Sequence, residues 1–179
     1  MKKLTMVTIG ISILGGTVLG GFAPAIGAAE TATSQANINI LGGELSITEA
    51  EDIAFGEIKI DGKDHTKDGN DISVKFSDYR GSAAEGFELK VKSDNAFANK
   101  GLNLELTPKS INNEQGTIGA KFELTDEFNQ LVSGDKDMIT GEATDYDLLV
   151  GTQLIASKKA KAGAYQTILT WDLSATPNE

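Results

Sequence analysis

Cysteine is absent from the 179 residues, and histidine and tryptophan occur once each. Without cysteine no disulfide restrains the unfolded chain, so stability must come from core burial and backbone pairing, and a sizeable β core is expected. The single histidine, His65, lies in a polar stretch with no aromatic or apolar shelter, so it reads as a surface residue rather than a catalytic base. The closely spaced carboxylates Asp145 and Asp147, or Asp135 and Asp137, stand two residues apart, which is ordinary loop polarity and not the two flanking acids that glycosidase chemistry requires. No enzymatic activity and no catalytic residue are expected.

Positive charge is also scarce. There are 16 Lys and Arg against 26 Asp and Glu, for a net charge of −10. Nucleic acid and anionic lipid are therefore poor partners. Metal ligation has one acidic candidate, Asp68-Gly69-Asn70-Asp71 with Asp61 and Asp64 nearby, but it lacks the alternating order and the following Glu of an EF-hand loop. Neither a metal nor a cofactor is expected.

One long apolar run is present, from Leu4 to about Phe22, preceded by Lys2 and Lys3 and followed by Pro24 and the small residues Gly27, Ala28 and Ala29. That order is a secretory signal peptide, residues 1–29, with cleavage expected after Ala28 or Ala29. No cysteine stands beside the cleavage site for lipid attachment. The C-terminal residues carry neither a sortase signal nor a second apolar span, so covalent wall anchoring and membrane insertion after cleavage are not expected. Lys2 and Lys3 are two of the 16 basic residues, so without the leader 14 face 26 acidic ones, a balance of −12.

The expected mature chain of about 150 residues suits one domain, with a flexible lead over 30–38 and the domain over 39–179. Short segments alternate between apolar and polar residues and are bounded by Gly, Asn and Asp. They are Leu45 and Ile47; Ile58 and Ile60; Ile72, Val74 and Phe76; Phe87, Leu89 and Val91; Leu102, Leu104 and Leu106; and Ala120, Phe122 and Leu124. Period-2 alternation marks strands with one face buried. The polar stretch from Asp61 to Asp71 reads as an exposed hairpin-like connection between strands. From Thr125 to Leu154 the alternation weakens. Met138-Ile139 and Leu148-Leu149-Val150 read as short strands there, and Asp126 to Leu131 as one helical turn. A last strand places Tyr165, Thr167, Leu169, Trp171 and Leu173 on one face. The expected class is all-β, a single-domain antiparallel β-sandwich or Greek-key-like barrel with little helix.

The stretch from Ala162 to Ala175, with Tyr165, Leu169, Trp171 and Leu173 in a Tyr-x-x-x-Leu-x-Trp-x-Leu order, resembles the C-terminal signature of the WxL-domain family of Gram-positive surface proteins. Leu41-Gly42-Gly43-Glu44-Leu45-Ser46-Ile47, Phe55-Gly56-Glu57-Ile58 and Asp78-Tyr79-Arg80-Gly81-Ser82 are similar to further stretches of that family, in the same order. Where the family usually has an earlier Trp-x-Leu, this chain reads Phe87-Glu88-Leu89.

The resemblance implies a secreted protein of the cell surface and cell wall that associates non-covalently with peptidoglycan, within assemblies that include membrane-anchored WxL-interacting proteins. Trp171, Leu173, Tyr165, Phe87 and Leu89 are the candidate ligand-binding residues, because aromatic rings can stack on the C–H faces of sugars. A core role is the competing reading for each of them, and for Phe87 and Leu89 the alternation favours it. Teichoic acid, rich in phosphate, suits a chain of balance −12 less well than an uncharged glycan or a protein partner.

Overall fold

The computed structural model describes residues 35–81, 86–112, 116–135 and 144–176. The leader, with its cleavage site, together with Ser82, Asp137 and the Met138-Ile139 strand expected above, lies outside them. Residues Ile40–Glu179 form one compact unit. Of the preceding unit, residues 35–39 are described; they are exposed and have no regular structure.

Ten strands make up the described fold: β1 (Leu45–Ala50), β2 (His65–Asp68), β3 (Ile72–Asp78), β4 (Gly86–Ser93), β5 (Leu102–Ile111), β6 (Thr117–Ile118), β7 (Phe122–Glu123), β8 (Asn129–Gly134), β9 (Thr144–Ala156) and β10 (Leu169–Thr176). All described pairings are antiparallel. One sheet runs in the order β1-β3-β9-β5-β7, with β2 continuing the edge of β9 beyond β3, and the other runs β10-β4-β8-β6. The all-β antiparallel class expected from the alternation is what the chain adopts, as two sheets face to face.

The core lies between the sheets because alternate residues of each strand point inward. Ile72, Val74 and Phe76 of β3 and Tyr146, Leu148 and Val150 of β9 meet Phe87, Leu89 and Val91 of β4 and Leu131 and Val132 of β8. At its centre are three rings. Phe76 stacks on Tyr146 at 4.7 Å between centroids, and Phe87 approaches both, at 5.2 Å and 5.0 Å. Offset and edge contacts of this kind add to the area each ring buries.

Where alternation breaks, the register explains it. Leu89 pairs with Val132 but Lys90 pairs with Gln130, leaving Leu131 as an extra residue, so that Leu131 and Val132 are both buried. This is a β-bulge. A second one, between Pro108 and Ser110 of β5, accommodates a residue without an N–H inside a strand.

Four expectations need correction. Ile58 and Ile60 are not in a strand: residues 51–64 carry no strand, Ile58 packs on Leu102, Leu154 and Ala156, and Ile60 is exposed. The polar stretch 61–71 is not merely a turn, because His65–Asp68 pair with Gln153–Ala156 as an edge strand, where the backbone ladder needs no apolar side chains. Asp126 to Leu131 forms no helical turn; the chain bends at 126–127, where the Thr125 hydroxyl accepts the Glu127 N–H at 3.2 Å, and enters β8. The last strand starts at Leu169, so Tyr165 and Thr167 precede it rather than share its face.

Candidate functional site

The two aromatic-x-Leu tripeptides are neighbours. In the β4–β10 ladder Leu173 stands opposite Leu89, Trp171 opposite Val91 and Ala175 opposite Phe87. The exchange of backbone hydrogen bonds between these strands therefore fixes Trp171-Asp172-Leu173 beside Phe87-Glu88-Leu89. Phe87 and Leu89 are 0% exposed, with no surface for a ligand to touch, and their role is in the core. Close packing around Phe87 is severe: a Cβ on Gly134 would collide with its ring.

Trp171 and Leu173 are half-buried and pack against the same core. They differ from Phe87 and Leu89 because β10 is an edge strand with β4 as its one neighbour among the described strands. On the outer face of this sheet Asp172 and Thr170 stand opposite Lys90 and Lys92, and Lys92 lies 4.5 Å above the Phe128 ring. Tyr165 is 38% exposed, in the loop between β9 and β10, and its hydroxyl donates to the Lys161 carbonyl at 2.8 Å. The structure thus brings Trp171, Leu173, Phe87 and Leu89 into one ladder and leaves Tyr165 outside it.

Two of the other resembling stretches, those of Gly43 and Tyr79, also meet in space. Gly43 N–H donates to the Tyr79 carbonyl at 2.6 Å, and a Cβ on Gly43 would come within 2.7 Å of the Tyr79 Cβ. Only residues without a Cβ allow this approach. Beside it, Arg80 grips Asp78 with Nε and Nη2 at 2.9 Å and 2.7 Å, and its backbone N–H donates to the same carboxylate at 3.1 Å. Asp78 is 2% exposed. Burial opposes its ionisation, but the side-chain and backbone hydrogen bonds and the charge of Arg80 outweigh burial and hold the carboxyl below its ordinary range. Burial, with the nearby Asp78 charge, raises the Tyr146 hydroxyl. These two stretches form a clamp at one end of β3.

The carboxylates weighed for chemistry go to separate partners. Asp61 accepts from His65 at 2.8 Å, Asp71 pairs with Lys109 at 2.6 Å, Asp68 accepts from Gln153 at 2.7 Å, and Asp145 accepts from the Tyr79 hydroxyl at 2.7 Å. No group of three or more His, Cys, Asp or Glu among the described residues is placed to hold a metal ion.

A site that sequence reading missed opens where β4 ends and β5 begins. It is a cavity of about 250 Å³, with Asn95, Phe97, Asn99, Asn103, Glu123 and Thr167 in its walls. Its frame is tied from several elements. Thr167 Oγ1 donates to Asp94 at 2.7 Å, Asp94 N–H donates to the Ile168 carbonyl at 2.9 Å, and Ser93 N–H donates to the Thr125 carbonyl at 2.7 Å. The Thr167 hydroxyl and the Ala96 N–H hold the Asp94 carboxyl below its ordinary range. Asn95 and Asn99 adopt left-handed backbone, φ 59° and 61°, and Gly101 follows at φ 74°. Asn tolerates that region better than most residues, and the cluster of Asn in this loop was the one sequence signal available.

No protein-family model matches the chain, and no curated protein matches it. The class the structure defines is an antiparallel all-β sandwich.

Proposed function

We propose that this is a secreted, non-enzymatic module of the Gram-positive cell surface, similar to WxL-domain proteins, that associates non-covalently with the peptidoglycan of the cell wall as part of a surface complex. The supporting observation is the C-terminal signature itself, with Trp171-Asp172-Leu173 laid beside Phe87-Glu88-Leu89 in one ladder. Within it, Trp171 and Leu173 retain exposed surface while Phe87 and Leu89 retain none. Ligand contact in this ladder therefore falls to the β10 edge, with Tyr165 beyond it. A leader of signal-peptide type supports export.

A second reading, a structural or adhesive subunit held by a membrane-anchored WxL-interacting protein, is favoured by a different feature. The outer edge of β10 has no described partner strand, and an unpaired edge can accept a strand from another chain.

Sedimentation with sacculi stripped of teichoic acid separates the two. The chain from Glu30 onward should pellet with the sacculi. Trp171→Ala, checked by circular dichroism for its fold, should pellet less. A parent chain that stays in the supernatant turns the assignment to the protein-partner reading.

A further inference from the structure

We infer that the outer edge of β10 receives, as an added strand, residues 36–41 of a second copy of this chain. The inference goes beyond wall binding and does not rest on it. It joins an edge without a strand to a strand-like segment without an edge.

An exposed strand edge offers unpaired N–H and C=O groups to any other chain, and proteins blunt such edges with short strands, charges, Pro or bulges. The other described edges are blunted in these ways. β6 and β7 are two residues long each, β2 carries Lys67 and Asp68, and β1 has a register shift between Ile47 and Glu49. β10 has none of these devices. It pairs with β4 in unbroken register over Leu169–Thr176, holds no Lys and no Pro, and has Asp172 as its one charge. Leu169, Trp171 and Leu173, which pack against the core, are only half-buried and so retain exposed apolar surface.

Residues 36–41 read Ala-Asn-Ile-Asn-Ile-Leu, with Ala36, Ile38 and Ile40 alternating as in a strand with one buried face. Yet they belong to no strand, and Ile38, Ile40 and Leu41 are 86%, 83% and 80% exposed. From Thr31 to Gly43 the chain carries no charge and no Pro. The segment can therefore approach the acidic body of another copy without adding to the repulsion between them. Extended, its six residues span about 20 Å, within the roughly 26 Å of the eight residues of β10.

Added beside β10, the alternation sets Ile38 and Ile40 on the core-ward face with Leu169, Trp171 and Leu173, and turns Asn37 and Asn39 outward with Thr170 and Asp172. A slip of one residue would reverse both sets, so the apolar pattern fixes the phase. The backbone ladder supplies affinity and the two Ile side chains supply selectivity. Every copy carries one such segment and one such edge; exchange in both directions closes a dimer, and exchange in one direction extends an open chain.

The test uses the chain from Glu30, which contains the compact unit Ile40–Glu179. In sedimentation at rising concentration its mass should climb from that of one chain to twice that or more. Ile38→Asp with Ile40→Asp should lose the association and keep the dilute unfolding midpoint, since both side chains are exposed in the single chain. The native chain has no cysteine, so a nitroxide on Asn39→Cys is a single label. An unlabelled copy bearing it, mixed with the ¹⁵N-labelled parent, should broaden the amide signals of Leu169–Thr176 in the parent.

A chain that stays at the mass of one copy overturns the inference, as does association that survives the double substitution, which would mean that β10 pairs with β10. Broadening confined to residues 36–41 of the labelled copy overturns it too, because the segments would then stack on each other. Pelleting with sacculi is unaffected by any of these outcomes, so wall association stands or falls separately.

Discussion

Asp78 shows how one buried residue makes stability depend on pH. Its carboxylate is buried, and the Arg80 guanidinium meets it with two N–H groups in the planar fork that favours carboxylates. Because Arg80 lowers the folded-state pKa below the unfolded value of about 3.9, the stability contributed by the ionised form is present above that value. It is lost as pH falls through the folded pKa. The unfolding midpoint should therefore drop steeply below about pH 4, and Asp78→Asn should start lower at neutral pH and lose less on acidification. Thermal unfolding followed from pH 6 to pH 2.5 checks this. Equal slopes in both proteins would mean that the pair carries no proton linkage. Breaking a buried pair from the other side, by Arg80→Ala, should cost about 3–5 kcal/mol, because the carboxylate is left uncompensated.

At the level of elements, β9 and β10 mark the extremes. β9 is paired along both edges, by β3 and β2 on one side and β5 on the other, whereas β10 has β4 alone among the described strands. In an antiparallel pair every second residue directs its N–H away from the partner. Hydrogen exchange should accordingly find β9 amides among the slowest and about half of the β10 amides far faster. Uniform protection along β10 would mean that its outer edge is covered, by the chain itself or by a second copy.

The same contrast explains what the sequence revealed. β1, β3, β4 and β5 were legible because each has one face toward the core and polar or charged residues interleaved. β9 was read only as Leu148-Leu149-Val150, although Tyr146, Leu148, Val150, Thr152, Leu154 and Ala156 all point inward. A buried Thr152, whose hydroxyl donates to the Asn70 carbonyl at 2.8 Å, interrupts the apolar pattern there. Ile58 and Ile60 show the converse, alternation without a partner strand. Pairing of the two tripeptides was not legible, since register between Leu89 and Leu173 depends on contacts 84 positions apart in the chain. The cavity was hidden for the same reason: its walls come from the 95–103 loop, from Glu123 and from Thr167.

Charge is a property of the whole molecule, and under the proposed wall association it would favour some parts of a wall over others. With 26 acidic and 16 basic residues the chain is surrounded by a negative potential, deepened once Lys2 and Lys3 leave with the expected leader. The ion pairs Lys75–Glu49 and Lys109–Asp71 are exposed on both sides and contribute little to stability. A wall carrying teichoic acid presents dense phosphate, and at low ionic strength the two surfaces repel across tens of ångströms, since the Debye length is about 30 Å at 0.01 M salt. At 1 M it shrinks to about 3 Å. The proposed binding to an uncharged glycan would be nearly indifferent to this change. Pelleting with native walls should therefore rise with added salt, while pelleting with stripped sacculi should stay flat, and the two curves should converge near 1 M. Binding that falls with salt on both surfaces would point instead to a cationic patch on the protein as the contact, which the neutral-glycan reading does not permit.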